Sequence, residues 1–325
     1  MTIGVIGAGA WGTALAQVIA NGGEDVLLWA RETEVVSSIS GQRENSMFLP
    51  GLALSNAITA TGDLRALGKC DIILVVAPAQ HMRTVLADLP AEGQHLVLCT
   101  KGIEQGTGRF MHEVAADRGI GGGIAVLSGP TFAHEVAGGL PTAVTLACED
   151  MALGKSISTR IARPHFRPYL TDDVIGAEIG GAVKNVLAIA CGVVEGRGLG
   201  QNARAALIAR GFAEMTRFGL AHGARAETLA GLSGLGDLVL TCSSTSSRNF
   251  SLGKGLGEGR SAEELLADRR TVAEGASTAP VLQEIARKRG IEMPIVDAVC
   301  ALLSGDSPVD HVVKSLLARP LRSEG

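Results

Sequence analysis

The stretch GAEIGGAVKNVLAIACGVVEG places one lysine, Lys184, inside a run of small and apolar residues. Ile179, Val183, Leu187, Cys191 and Val194 recur every three or four positions, which predicts a helix with an apolar face. A helical side chain leans back over the preceding turn, so Lys184 is expected above Gly180 and Gly181. Such a lysine has two readings. It is a surface lysine laying its stem along apolar ground with its head in water, or an ammonium aimed at a reacting group. The paired glycines would then leave space for a substrate.

A second chemical signature lies at the start of the chain. In TIGVIGAGAWGT, Gly7, Gly9 and Gly12 form G-x-G-x-x-G directly after an apolar run. Such glycines permit a tight turn, close approach of backbone to a pyrophosphate, and close packing of helix on strand. The next apolar run, DVLLWAR, follows within about thirty residues, the context that makes the motif credible for a dinucleotide. An acidic residue at the end of that run would favour NAD(H); Arg31 stands there instead. A guanidinium suits a 2′-phosphate, so NADP(H) is expected, and Glu32 beside it keeps NAD(H) open.

Polar clusters interrupt the apolar sequence elsewhere. CTKGIE carries Lys101, SGPTFA carries Gly129, Pro130 and Thr131, and GLGDLVLTCSSTSSRNF carries Asp237, Thr241, Ser247, Arg248 and Asn249. Each alone reads as a loop or a helix cap. Together they supply the amide, hydroxyl and cationic donors that a phosphate-bearing anion requires. His81, His134, His165 and His222 lack metal-ligand spacing, and no metal is expected.

The elements that must position these groups fall into two halves. IGVIG, DVLLW, DIILVV, HLVLCT, GIAVLSG and PTAVTLAC are short apolar runs separated by helix-like segments, the pattern of a parallel sheet buried on both faces. Beyond about Ala177 the runs give way to amphipathic segments at Gly176–Val194, Ala203–Phe218, Ala262–Ala267 and Pro280–Arg289. The expectation is α/β: a Rossmann-type dinucleotide-binding domain over residues 1–178, then an all-helical substrate domain over 179–325. The net charge of −4 gives no reason to expect a nucleic-acid partner. Six scattered cysteines without a C-x-x-C pair fit a reducing, cytoplasmic setting. The longest apolar run, Val186 to Val194, is too short for a membrane span.

IGVIGAGAWGTALA, CTKGIE, SGPTFAHEVA, GGAVKNVLAIACG, NARAALIARG, GLSGLGDLVLTC, SSRNF and VAEG resemble, in order, the bacterial NAD(P)-dependent glycerol-3-phosphate dehydrogenase family. The resemblance runs from residue 3 to residue 275 and implies a two-domain plan like that of 6-phosphogluconate dehydrogenase. It also implies reversible reduction of dihydroxyacetone phosphate to sn-glycerol 3-phosphate, for glycerophospholipid synthesis, by a homodimer. By the same resemblance Lys184 is the proton acceptor in oxidation and Asp237 an active-site acid. Gly129, Thr131, Ser247, Arg248 and Asn249 fall on substrate positions, and Lys101 touches substrate and cofactor. Trp11, Arg31, Ala133, Arg248, Val272 and Glu274 fall on cofactor positions. Burial and the cations Lys101 and Arg248 would lower the pKa of Lys184, and Asp237 would raise it. Arg197, if it pointed inward, would add positive charge for the substrate. A related hydroxy-acid or ketopantoate-type dehydrogenase, or a catalytically silent NADP(H) sensor, are the alternatives.

Overall fold

The computed structural model describes residues 2–90, 92–267 and 273–318. The Val-, Ile- and Leu-rich runs become strands: β1 (Thr2–Ile6), β2 (Asp25–Trp29), β3 (Ile58–Thr61), β4 (Ile72–Val75) and β5 (His95–Leu98). They continue with β6 (Ile124–Ser128), β7 (Thr142–Ala147) and β8 (Phe166–Thr171). All eight share one sheet in the order β3-β2-β1-β4-β5-β6-β7-β8. The first six are parallel, in the doubly wound order of a dinucleotide-binding domain.

The helices between strands are α1 (Ala10–Ala20), α2 (Thr33–Gln42), α3 (Ala79–Asp88), α4 (Met111–Asp117), α5 (Ala133–Ala137) and α6 (Met151–Ile161). Successive residues of a strand face opposite sides, and two cores result. Ile3 and Val5 join residues of α1, α2, α5 and α6 on one face. Ile6, Ile73 and Val75 join α3, α4 and a 3-10 turn at Leu64–Lys69 on the other.

The expected parallel sheet needs correction at one strand. β7 runs antiparallel to β6, and β8 then runs parallel to β7. The cause is the connection. α5 has five residues and rises only about 7.5 Å, too little to return the chain along β6 for a parallel crossover. β3 and β8 were not among the expected runs. β3 is the short ITAT, and β8 is an edge strand holding Pro168 and the exposed Tyr169.

From Val174 onward the described residues are helical: α7 (Val174–Gly196), α8 (Gly200–Ala221), α9 (Ala226–Ala230), α10 (Asp237–Thr241) and α11 (Arg248–Gly257). α12 (Ala262–Leu266), α13 (Glu274–Lys288), α14 (Pro294–Ser304) and α15 (Val309–Leu317) follow. Asp173 caps α7 by accepting from the Gly176 amide at 2.8 Å, so the expected division at residue 178 falls inside this helix. Its first turns lay Val174 and Ala177 on the sheet, while Ile179 to Val193 form the centre of the helical core. α13 begins six residues before Pro280, which the expectation had placed at its start. At 23 residues and mean hydropathy 1.5, α7 is long and apolar enough to cross a membrane, unlike its shorter uninterrupted run. Yet 89% of that window is buried by other parts of the protein, as in a core helix.

Candidate active site

Lys184 is buried on α7, and the snorkelling reading fails. Its Nζ donates to Asp237 Oδ1 at 2.6 Å and to Thr241 Oγ1 at 2.9 Å. Lys101 Nζ donates to the other carboxylate oxygen, Oδ2, at 2.6 Å and to the Gly129 carbonyl at 3.1 Å. Asp237 is fully buried between two lysines, one on each oxygen. The sheet supplies Lys101 and Gly129 from beyond the ends of β5 and β6, and the helical half supplies Lys184, Asp237 and Thr241. Burial is the largest influence on Lys184 and pulls its pKa down to about 8. Asp237 opposes this and Lys101 reinforces it.

The local backbone explains the placement. Asp237 follows a π-helical turn at Leu232–Gly236, an uncommon conformation that re-aims the chain. A β-carbon on Gly180 would stand 2.3 Å from the Ser233 carbonyl oxygen. One on Gly181 would stand 3.3 Å from the Lys101 side chain. The paired glycines thus admit the π turn and the Lys101 arm. Gly129 has φ +155°, and a β-carbon there would meet Val144 Cα at 2.9 Å. Its carbonyl also accepts from Thr131 Oγ1 at 3.3 Å.

At the start of α11, Ser247 caps the helix by accepting from the Phe250 amide at 3.2 Å. Arg248 is exposed in the first turn. Asn249 Nδ2 donates to Asn185 Oδ1 at 3.0 Å, and its Oδ1 accepts from the Gly275 amide at 2.9 Å. Asn185, next to Lys184, is a partner the sequence reading missed; a second polar residue inside an apolar helix was the available signal. Glu274 opens α13 and accepts from the Ala79 amide, at the start of α3, at 3.3 Å. Burial raises its pKa, against the Ala79 amide and the nearby cations Lys101, Arg248 and Lys184. The two halves of the chain therefore meet around one charged cluster.

Each glycine of the N-terminal motif has its own reason. Gly7 turns at φ +103°, and a β-carbon on Gly12 would lie 1.8 Å from the Gly7 carbonyl oxygen. Nothing lies within 4 Å of where a Gly9 β-carbon would be, and no side chain caps α1. Trp11 buries its indole nitrogen with no hydrogen-bond partner. An open floor, an uncapped helix start and an orphaned donor fit a dinucleotide whose pyrophosphate rests on α1. Ala133 opens α5, which joins α1 in the same core. Arg31 projects from the end of β2, 77% exposed, and pairs with Glu32 at 3.0 Å. Val272 lies outside the described residues.

Some expected residues stay apart from this cluster. Arg197 pairs with Asp310 on α15 rather than pointing inward, and Gln201 accepts from Arg204. His222 packs on Phe218, and its Nδ1 lies 2.7 Å from the Phe218 carbonyl oxygen, a structural role. No group of three or more metal-ligating side chains occurs among the described residues.

A doubly wound dinucleotide domain closed against a helical domain, with a buried lysine–carboxylate pair at their junction, defines a nicotinamide-dependent oxidoreductase. Two family models cover the chain: the NAD-dependent glycerol-3-phosphate dehydrogenase N-terminus over residues 2–154, and its C-terminus over residues 173–314. The chain belongs to that family. It is 66% identical to the glycerol-3-phosphate dehydrogenase [NAD(P)+] of Novosphingobium aromaticivorans, over 99% of this chain and 98% of the other. Against the enzyme of the same name from Erythrobacter litoralis it is 65% identical, over 99% and 97%. The crystal structure of glycerol-3-phosphate dehydrogenase from Coxiella burnetii superposes with TM-score 0.93 at 40% identity, covering 98% of this chain and 99% of that one.

Proposed function

We propose that the protein interconverts dihydroxyacetone phosphate and sn-glycerol 3-phosphate with NAD(P)(H), supplying the glycerophospholipid backbone. The bridged Lys184–Asp237–Lys101 cluster carries this reading. The dinucleotide supplies or takes up the hydride. An ammonium has three donors, and Asp237 and Thr241 engage two of those on Lys184, leaving the third for the substrate's ketone oxygen. In reduction Lys184 stabilises the charge building on that oxygen and hands it a proton; in oxidation the neutral amine takes the proton back. Asp237 fixes the direction of the Lys184 arm.

Arg248, Ser247 and Asn249 stand on the phosphate side of the reading, with Gly129, Thr131 and Lys101 beside the reacting carbon. Ser247 and Asn249 already hydrogen-bond within the protein, and the planar guanidinium fork of Arg248 matches the geometry of phosphate oxygens. Gly7, Gly9, Trp11, Gly12, Arg31, Ala133, Val272 and Glu274 complete the cofactor side, again with Lys101 and Arg248. The division into a dinucleotide domain over residues 1–178 and a substrate domain over 179–325, and a cytoplasmic homodimer, belong to the same proposal. The six unpaired cysteines support the reducing setting.

The test is loss of NADPH absorbance on adding dihydroxyacetone phosphate, with ketopantoate in parallel and NADH in place of NADPH. Rapid oxidation with the phosphate ester alone is expected, with higher kcat/KM for NADPH than for NADH. Lys184→Ala should lose turnover by a thousandfold or so while keeping NADPH affinity. Retention of kcat within tenfold would remove the proton-transfer role, and turnover of ketopantoate alone would remove the substrate.

A further inference from the structure

We infer that Asn45 is a positioning residue for the dinucleotide, holding the glycine turn so that the Gly9 amide faces the pyrophosphate. This rests on the cofactor reading above. The segment between α2 and β3 reads in sequence as a polar loop, QRENSMFLPG. In the fold it doubles back against the glycine turn, closed by an antiparallel bridge between Asn45 and Leu49 and by the Leu54 amide on the Arg43 carbonyl at 2.7 Å. Asn45 has no solvent exposure. Its Nδ2 donates to the Ala8 carbonyl at 2.8 Å and to Thr13 Oγ1 at 2.8 Å, and its Oδ1 accepts from the Phe48 amide at 3.1 Å. Thr13, equally buried, donates its hydroxyl to the same Ala8 carbonyl at 3.3 Å.

Ala8 stands between Gly7 and Gly9, so this carbonyl belongs to the peptide that leads into α1. No peptide bond among the described residues is cis. In a trans peptide the C=O and the following N–H point opposite ways. Two buried donors drawing the Ala8 oxygen inward therefore turn the Gly9 N–H outward, toward the open floor beside Gly9. This peptide turns by rotation about ψ of Ala8 and φ of Gly9, and Gly9, with no β-carbon, puts little resistance on its side of that rotation. Without a clamp the turn would present either its carbonyl or its amide to an anion, and a carbonyl there repels phosphate. The Phe48 amide on the other end of the carboxamide fixes the clamp's own direction, leaving no polar end of Asn45 unpaired.

The substitution Asn45→Asp keeps the shape and replaces the donor by an anionic oxygen facing the Ala8 carbonyl. NADPH Kd, read by fluorescence titration, is expected to rise at least tenfold, with KM for NADPH following. The kcat at saturating NADPH and the KM for dihydroxyacetone phosphate should stay within about threefold, a split that general damage to the fold would not give. An unchanged Kd in a folded Asn45→Asp protein overturns the inference. If Asn45→Asp does not fold, Thr13→Val and Thr13→Ser decide. Removal of the hydroxyl in Thr13→Val should raise Kd at least threefold, and Thr13→Ser should recover most of that loss; equal Kd values in the two overturn the inference. A wild-type protein that binds no NADPH would instead sink the cofactor reading itself.

Discussion

Lys184 shows how a single side chain acquires its chemistry from its surroundings. Burial favours its neutral form, Asp237 favours the charged form, and Lys101 works against Asp237. The outcome, about 8, lies where both protonation states are populated near neutral pH, as a group serving both directions requires. Reduction needs the ammonium, so its kcat should fall as pH rises through about 8; oxidation needs the amine and should rise through the same region. Asp237→Asn removes the influence that raises this pKa and leaves two lysines facing each other. The oxidation profile should then shift to lower pH, with a lower maximal rate because the arm is no longer held. A midpoint that stays or moves upward in pH–rate profiles would show that Asp237 does not act on Lys184 in this way.

Helices α7 and α11 carry the site, and they meet through glycine. Gly192 and Gly196 on α7, and Gly253 and Gly257 on α11, each lie one turn apart and so share a face of their helix. A β-carbon on Gly253 would stand 1.9 Å from the Ile189 carbonyl oxygen, and one on Gly192 2.1 Å from that of Phe250. Backbone meets backbone there, and the start of α11 is held against α7, where Asn249 bonds Asn185. Gly253→Ala should cost roughly 1–3 kcal/mol in urea unfolding and raise KM for dihydroxyacetone phosphate. Gly41→Ala, on α2 with open space around it, should gain up to about 1 kcal/mol in the same assay. Equal effects from the two would leave the close approach without consequence. This contact was not legible in the sequence, where Gly192 and Gly196 stand in ACGVVEG and Gly253 and Gly257 in LGKGLG with nothing local to pair the two stretches. β1, β2 and β4 to β7 were legible because strands buried on both faces need uninterrupted Val, Ile and Leu. β8, half exposed on the edge, carries no such pattern, and the reversal at β7 was legible only in the shortness of α5.

Across the whole molecule, the buried charges that the sequence could suggest as active-site groups share the interior with others it could not. Glu178 on α7 accepts from the backbone of His112 on α4 at 2.8 Å and contacts its ring at 2.5 Å, tying sheet half to helical half. Burial alone would lower the pKa of His112, and Glu178 together with Glu113 and Glu149 outweighs it, so the pKa is raised. Glu214 on α8 accepts from the Ile295 and Val296 amides at the start of α14, at 2.8 and 3.4 Å. Nothing in the sequence AEMTRF marks that glutamate as internal, because its partners are backbone groups eighty residues away. Desolvation pushes its pKa up to about 7, against the pull of those two amides. A folded-state pKa raised above the ordinary value of 4.5 means that the folded chain holds the proton more tightly than the unfolded one. The contribution is thus fully present below about 4.5 and is lost as pH rises through about 7. Glu214→Gln keeps an acceptor for the shorter Ile295 bond and cannot ionise. The wild-type Tm should decline between pH 5 and 8 relative to Glu214→Gln, with the variant equal or more stable at pH 8. Parallel Tm curves for the two proteins across that range would mean that Glu214 does not carry the pH dependence.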